Sequence, residues 1–291
     1  PTWNNFGTFS KSGGTGIFYF NGVRVDNSST LSGLSGTVSL YNSAVHNSGT
    51  LSSTGTKLQF FGCNATNSGA VSVAPGTLLT VDSGGTVVLQ PASMLSVPTA
   101  NAWQVNAGTM LVQTTNVSAP SVWISGGTLW HQADNTVPVV NQDAGTWRLS
   151  ANTAVGNYNL TNGELRGGTL TVTNFNWVAG NLNADVNGDK TIIPVGGTLN
   201  LTGTAARHLS YYGSQGRGLD NYGTWNWSGD CILYGRNGGV VNNYGTVNVT
   251  GTGNAQFAYF SGDSFASTWN NFGSFSKSGG TGIFYFNGVR V

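Results

Sequence analysis

Apolar and polar residues alternate along this chain in short runs such as "TWNWSG" (Thr224–Gly229) and "TVNVTG" (Thr246–Gly251). A period of two places one side chain inside and the next outside, as in a half-buried strand. The runs follow a recurring phrase, "NxGT", seen at Asn5, Asn47 and Asn243. Extending that alignment gives fourteen starts, at 5, 27, 47, 67, 83, 106, 125, 143, 161, 178, 195, 221, 243 and 271. Glycine fills the third place in thirteen of them, Ser29 being the exception, and the fifth place is apolar in all fourteen, from Phe9 and Leu31 to Val247 and Phe275. A glycine accepts positive φ and can turn the backbone at a corner. The threonine that commonly follows enters a strand readily, and the fifth residue then points inward.

A second strand is predicted about thirteen residues past each start, where Phe18, Leu40, Phe60 and Tyr234 recur within "GIFYFNG", "TVSLYNS", "KLQFFGC" and "CILYGRN". The first place is often asparagine (5, 27, 47, 67, 106, 221, 243 and 271), which predicts a ladder of side-chain amides between stacked strands. No stretch competes as a helix, because glycine interrupts every ten residues or so and Ala, Glu and Lys are scarce. The expected fold is all-β: a parallel β-solenoid with about 20 residues per rung and about 13 rungs per 266-residue repeat.

The long period comes from the ends. "TWNNFGTFSKSGGTGIFYFNGVRV" (Thr2–Val25) returns as Thr268–Val291 with one change, Thr8 to Ser274. Residues 1–291 are therefore expected to be a single continuous β-solenoid, holding one 266-residue tandem repeat (2–267) and the first 24 residues of the next copy (268–291). On this reading the chain is a window cut from a longer array. Its expected partners are neighbouring copies of the repeat, end to end, with lateral self-association as a further expectation.

Composition narrows the function. Charged residues make up 7% of the chain and glycine 44 of 291 positions. Lys277 and Arg290 duplicate Lys11 and Arg24, so residues 2–267 carry nine basic and ten acidic side chains. With no basic stripe to neutralise phosphates, nucleic-acid binding loses its main energetic term. No apolar run is long enough for a membrane span. Cys63 and Cys231 are expected to be buried free thiols. With so few charges, stability is expected to respond little to salt, or to pH between about 4 and 9.

The segments "GGTLTVTNFNWVAGNL", "VGGTLNLTGTAARHLS" and "LDNYGTWNWSG" resemble the Gly/Thr/Asn-rich β-helical repeats of very large bacterial surface proteins, including autotransporter passenger-like and adhesin-like stalks. The resemblance covers essentially the whole chain and implies an exported, elongated scaffold, extracellular or at the cell surface; it supplies no catalytic residues to carry over. Parallel β-helices also resemble polysaccharide lyases and glycoside hydrolases, but the ten acidic residues are spread thinly for a carboxylate pair. The expectation is a protein that is not an enzyme and needs no cofactor.

Two local features carry candidate chemistry. In "DVNGDKTI" (Asp185–Ile192), Asp185, Asn187 and Asp189 have the alternate spacing of the first ligands of a calcium loop. The string resembles dockerin-type loops, with two departures. Lys190 stands where such loops turn on glycine, and Gly196 stands where a bidentate Glu belongs. Two rungs are overlong, 195–221 and 243–271, and the first contains "RHLSYYGSQGRG" (Arg207–Gly218). Its Arg207, His208, Tyr211, Tyr212 and Arg217 form a candidate glycan or partner contact. The competing expectation is that the tyrosines extend an interior aromatic and aliphatic ladder formed by the stacked Phe18, Leu40, Phe60 and Tyr234 while the arginines stay in water.

Overall fold

The computed structural model describes residues 1–210, 215–263 and 265–291, and every regular element among them is a β-strand. The strands pair in parallel, turn upon turn, as a β-solenoid of about 12 turns with ~21 residues per turn. Contacts divide the chain into two units, Pro1–Pro138 and Val139–Val291.

In the first unit each complete turn contributes three strands. One face stacks Thr2–Asn5, Arg24–Asn27, Ala44–Asn47, Asn64–Asn67, Thr86–Leu89, Thr109–Val112 and Thr128–His131. A second runs from Thr8–Lys11 through Thr50–Ser53 to Val117–Ser118, and a third from Ile17–Asn21 through Lys57–Phe61 to Ser121–Ile124. Inward residues stack in register: Val25, Val45, Ala65, Val87, Met110 and Leu129 follow one another and are all at least 97% buried. Fully burying one such aliphatic side chain contributes about 1.5–3 kcal/mol, so the column itself holds each turn on the next.

The asparagine ladder forms at one corner of this unit. Asn5 Nδ2 donates to Asn27 Oδ1 at 2.6 Å, Asn27 to Asn47 at 2.5 Å, and Asn47 to Asn67. The same amide groups donate to backbone carbonyls two residues on, Asn27 to Ser29 O and Asn47 to Gly49 O, both at 3.1 Å. Each amide thus binds its neighbours and fixes its own corner. Replacing Asn47 by Ala removes a donor and an acceptor from inside the stack and should lower stability by about 1–3 kcal/mol. His46→Ala, next to it and facing outward, should cost less than about 0.5 kcal/mol. Urea midpoints of the two variants check this difference.

Glycine corners occur on more than one edge, which moves part of the predicted register. The sequence alignment places Val87 above Val71, whereas Val87 pairs with Ala65 and Val71 with Leu95. The phrase at 83–87 imitates "NxGT", but its turn, with Ser83 at φ 61° and Gly85 at φ 101°, closes the third face and opens the first.

The second unit begins with two faces and ends with three. Thr153–Leu160 and Thr169–Trp177 pair in register over most of their length, opposite a face that includes Thr146–Leu149, Glu164–Arg166 and Asn181–Asn183. The first half of Thr169–Trp177 then pairs with Lys190–Ile193 and its second half with Thr198–Leu201. A tight turn separates those two strands, closed by Gly197 N–H donating to Pro194 O at 2.9 Å with Gly196 at φ 78°. A third face lengthens each turn. The stacked pairs Trp147–Leu165 and Leu165–Leu182 lie 18 and 17 residues apart, while Leu199–Trp225 and Trp225–Val247 lie 26 and 22 apart.

Tryptophans fill this interior as expected: Trp147, Trp177, Trp225, Trp227 and Trp269 are at least 99% buried, and Trp225 stacks on Trp269 with centroids 5.4 Å apart. Two ladders also run outside. Asn226, Asn200, Asn176, Asn159 and Asn141 pass amide hydrogen bonds of 3.0, 2.9, 2.8 and 2.7 Å down one face. Tyr222, Tyr244 and Phe272 stack at 4.7 and 5.0 Å on another edge.

Candidate functional site

The calcium-like turn is engaged with the protein's own donors. Asp185 accepts from Arg148 Nε at 2.8 Å and forms an ion pair with Arg166 at 2.9 Å. Asp189, buried, turns back on its own loop and accepts the N–H groups of Asp185 and Val186 at 2.6 and 2.9 Å. Asn187 is exposed beside Gly188 at φ 97°. Among the described residues, no three His, Cys, Asp or Glu side chains come together as a metal-binding group.

The arginines of the overlong turn do not stay in water. Arg207 and Arg217 both have no exposed surface. Arg217 places all five guanidinium donors: Nε on Thr191 Oγ1 at 3.1 Å, one terminal nitrogen on Gly167 O and Asn183 O at 2.9 and 3.0 Å, the other on Gly168 O and Lys190 O at 3.3 and 2.8 Å. It sits where the two-faced turns give way to three. A cation there supplies donors to the carbonyls of the corners at 167–168, 183 and 190. Arg207 likewise donates to Ala205 O at 2.7 Å and Trp177 O at 3.2 Å, and to Val178 O and Thr202 O. His208 is half-buried and stacks on Tyr234 with centroids 5.0 Å apart. Tyr211 and Tyr212 lie outside the described residues.

What this edge presents is a groove of about 590 Å³, lined by Asp189, Lys190, Gln215, Asp220, Asn242 and Phe265 among others. Lys190 Nζ meets Asp220 Oδ2 at 3.0 Å, Asn242 Nδ2 donates to Asp220 Oδ1 at 2.7 Å, and Phe265 is 62% exposed. Asp220 holds the Lys190 ammonium above the usual lysine range, by a hydrogen bond first and by charge second. Amide and hydroxyl-binding groups beside an open ring are chemically suited to a sugar. Sequence reading passed over Asp220, Asn242 and Phe265. Their only signal was that both overlong turns contribute to the same edge.

Burial shifts several titrating groups. The His131 imidazole, with no exposed surface, is pushed down to about 4 by desolvation. His208 is also pushed to about 4, by burial first and by the charge of Arg236 second. Both shifts oppose the expected insensitivity to pH. The Cys63 thiol is pushed up to about 12 by burial, and Cys231 is raised for the same reason; both are buried and free. Neither is a nucleophile at neutral pH.

The repeated 24-residue string folds the same way in its two settings. Thr2 pairs with Arg24 and Thr268 bridges to Arg290, the same 22-residue turn. The ring pairs Trp3–Phe9, Phe9–Phe20 and Phe18–Phe20 lie at 5.5, 5.6 and 5.1 Å. Their counterparts Trp269–Phe275, Phe275–Phe286 and Phe284–Phe286 lie at 6.0, 5.7 and 5.1 Å. Lys11 and Lys277 each reach a glycine carbonyl two residues on, Gly13 O and Gly279 O. No family model, no curated protein and no solved structure matches the chain.

Proposed function

We propose that the chain is a structural repeat module of an exported, elongated protein, a stalk or fibre scaffold at the cell surface or in the extracellular space, and that it performs no catalysis. One observation carries this reading: a single string of 24 residues builds the same coil at 2–25 and at 268–291, as a unit meant to recur does. Interior columns, amide ladders and outward ring stacks all give each turn its stability from its neighbours. Such a module tolerates indefinite repetition. Its low charge and Gly/Thr/Asn-rich surface fit the stalks it resembles in sequence. The test has two parts. Antibody labelling of intact cells should reach the protein without lysis, and small-angle scattering should give a rod with a length of roughly 60 Å per repeat, from stacked turns about 4.8 Å apart. Labelling only after lysis, or a scattering curve without a constant cross-section, overturns it.

The groove supports a second reading, glycan recognition through Asp220, Asn242 and Phe265. If it binds sugar, a glycan array should show a signal that Phe265→Ala, at an exposed ring, reduces by more than tenfold without a change in melting temperature.

A further inference from the structure

The groove at the edge shared by the overlong turns is built by stacking, turn upon turn. Lys190, Gly218 and Val240 line it in register, and two residues further along their strands Asp220, Asn242 and Asn270 are in register as well. These last three form a polar line: Asn270 Nδ2 donates to Asn242 Oδ1 at 2.8 Å, and Asn242 Nδ2 donates to Asp220 Oδ1 at 2.7 Å. A side-chain amide carries two N–H hydrogens and two lone pairs. The line uses one hydrogen of each asparagine, so each keeps a second for a ligand, and Asn242 keeps a lone pair too. Three residues before Gly218, Val240 and Thr268 stand Gln215, Asn237 and Phe265, which also line the groove, and Phe265 is 62% exposed.

The charged residues that line it, Asp189, Lys190 and Asp220, are engaged with one another or with their own loop. Lys190 pairs with Asp220 at 3.0 Å, and Asp189 accepts the N–H groups of Asp185 and Val186. Among the described residues the groove therefore offers no unpaired charge to an anionic or a cationic ligand. An extended peptide commonly docks by adding a strand to an open sheet edge. Here the strands Gly218–Asn221 and Val240–Asn243 each pair with a turn on both sides, so they present no such edge. What the groove does offer is neutral: amides and one open ring. Hydroxyl groups, which donate and accept at once, complement an amide. The apolar face of a sugar ring packs on an aromatic one.

Repetition sets the direction of the ligand. Along the stack, like side chains recur about every 4.8 Å. Along a strand they do not, since the outward residues Val240, Asn242 and Tyr244 differ in kind. A sugar unit of an extended chain is about as long as one turn is tall. The ring stack of Tyr222, Tyr244 and Phe272, two residues beyond Asp220, Asn242 and Asn270, runs the same way. We infer that the groove binds a neutral, linear polysaccharide laid lengthwise, about one sugar to a turn, through the amides of Asn242 and Asn270 and the ring of Phe265. The inference rests on the glycan reading of the groove and adds the charge, shape and direction of the ligand.

Isothermal titration calorimetry of the full chain tests it with three neutral β-1,4-linked series: cello-, manno- and xylo-oligosaccharides, from dimer to hexamer. At least one series should bind. Its affinity should rise more than tenfold from dimer to tetramer and level off by the hexamer, because the lining residues come from four successive turns. The anionic tetragalacturonate should bind at least tenfold more weakly than the best neutral tetramer. Asn242→Ala should weaken that tetramer about tenfold, and Asn248→Ala, an amide on the neighbouring face, should leave it unchanged. If Asn242→Ala lowers the melting temperature, Asn270→Ala takes its place, since Asn270 only donates within the line. Preference for tetragalacturonate, equal affinity for dimer and hexamer, full affinity in both asparagine variants, or no binding of any neutral series overturns the inference. A glycan-array signal that Phe265→Ala abolishes would then still leave sugar recognition standing at the groove, whereas a blank array removes both.

Discussion

Arg217→Ala should lower stability by about 3–5 kcal/mol, the largest loss expected from any single substitution in the second unit. The side chain is fully enclosed, and its five donors meet five acceptors drawn from 167–168, 183 and 190–191. Truncation leaves a cavity and removes charge-assisted hydrogen bonds of about 1.5–3 kcal/mol each before reorganisation. Burial lowers the guanidinium to about 10, opposed first by Asp189, then by Tyr158 and Asp185, so the group remains a cation at neutral pH. Arg217→Met separates the two contributions. It fills most of the volume and removes the charge, so it should recover part of the loss if packing matters and little of it if the carbonyls dominate. Urea titrations at pH 7.5 read both variants. Equal midpoints for parent and Arg217→Ala would mean that the split between two and three faces needs no cation at its root.

That arginine also shows where sequence reading stopped. Period-two alternation and recurring glycine corners specify strand, face and stacking, so the all-β solenoid and the inward tryptophans were legible from composition and spacing. The asparagine ladder was legible at 5, 27, 47 and 67 and at 221, 243 and 271, because identical amides recur there, but Asn106 sits at another corner and donates to Asp82 at 2.6 Å. The number of faces was not, since a glycine corner is chemically the same on any edge. The phrase at 83–87 therefore passed for a repeat of the one at 67–71 although it belongs to another face. Arg217 misled for a related reason. A cation in a polar loop ordinarily stays wet, and only the stacking of the corners at 167–168, 183 and 190–191 around it gathers enough acceptors to hold it inside. The groove lined by Asp220, Asn242 and Phe265 needed both overlong turns placed on one edge, which spacing alone does not provide.

Acid should unfold this protein earlier than its sparse charges suggest, and His131 is the reason. It occupies the column that begins with the asparagine ladder, pairing with Val112 as Asn67 pairs with Leu89, in a site with no exposed surface. Its folded-state value is about 4 against 6.5 for the unfolded chain. Above pH 6.5 both states are neutral at this residue and stability is at its full value. As pH falls from 6.5 towards 4 the unfolded chain takes up a proton that the folded one refuses, so stability drops, by about 2.5 kcal/mol at pH 4.5. His208 acts in the same direction, more weakly because it is only half-buried. Asp82 follows in a lower window: burial raises its carboxyl, but hydrogen bonds from Thr80, Gln59 and Asn106 outweigh burial and hold it below 3.8, so its contribution is lost only under that value. Urea midpoints measured from pH 7.5 to pH 4.5 should fall steadily for the parent. For His131→Leu, which keeps the site filled without a titrating group, they should fall distinctly less, by the weaker contribution of His208 alone. A parent curve that falls no faster than that of His131→Leu would mean that the folded imidazole takes up its proton as readily as the unfolded one, and the column would have to open around it.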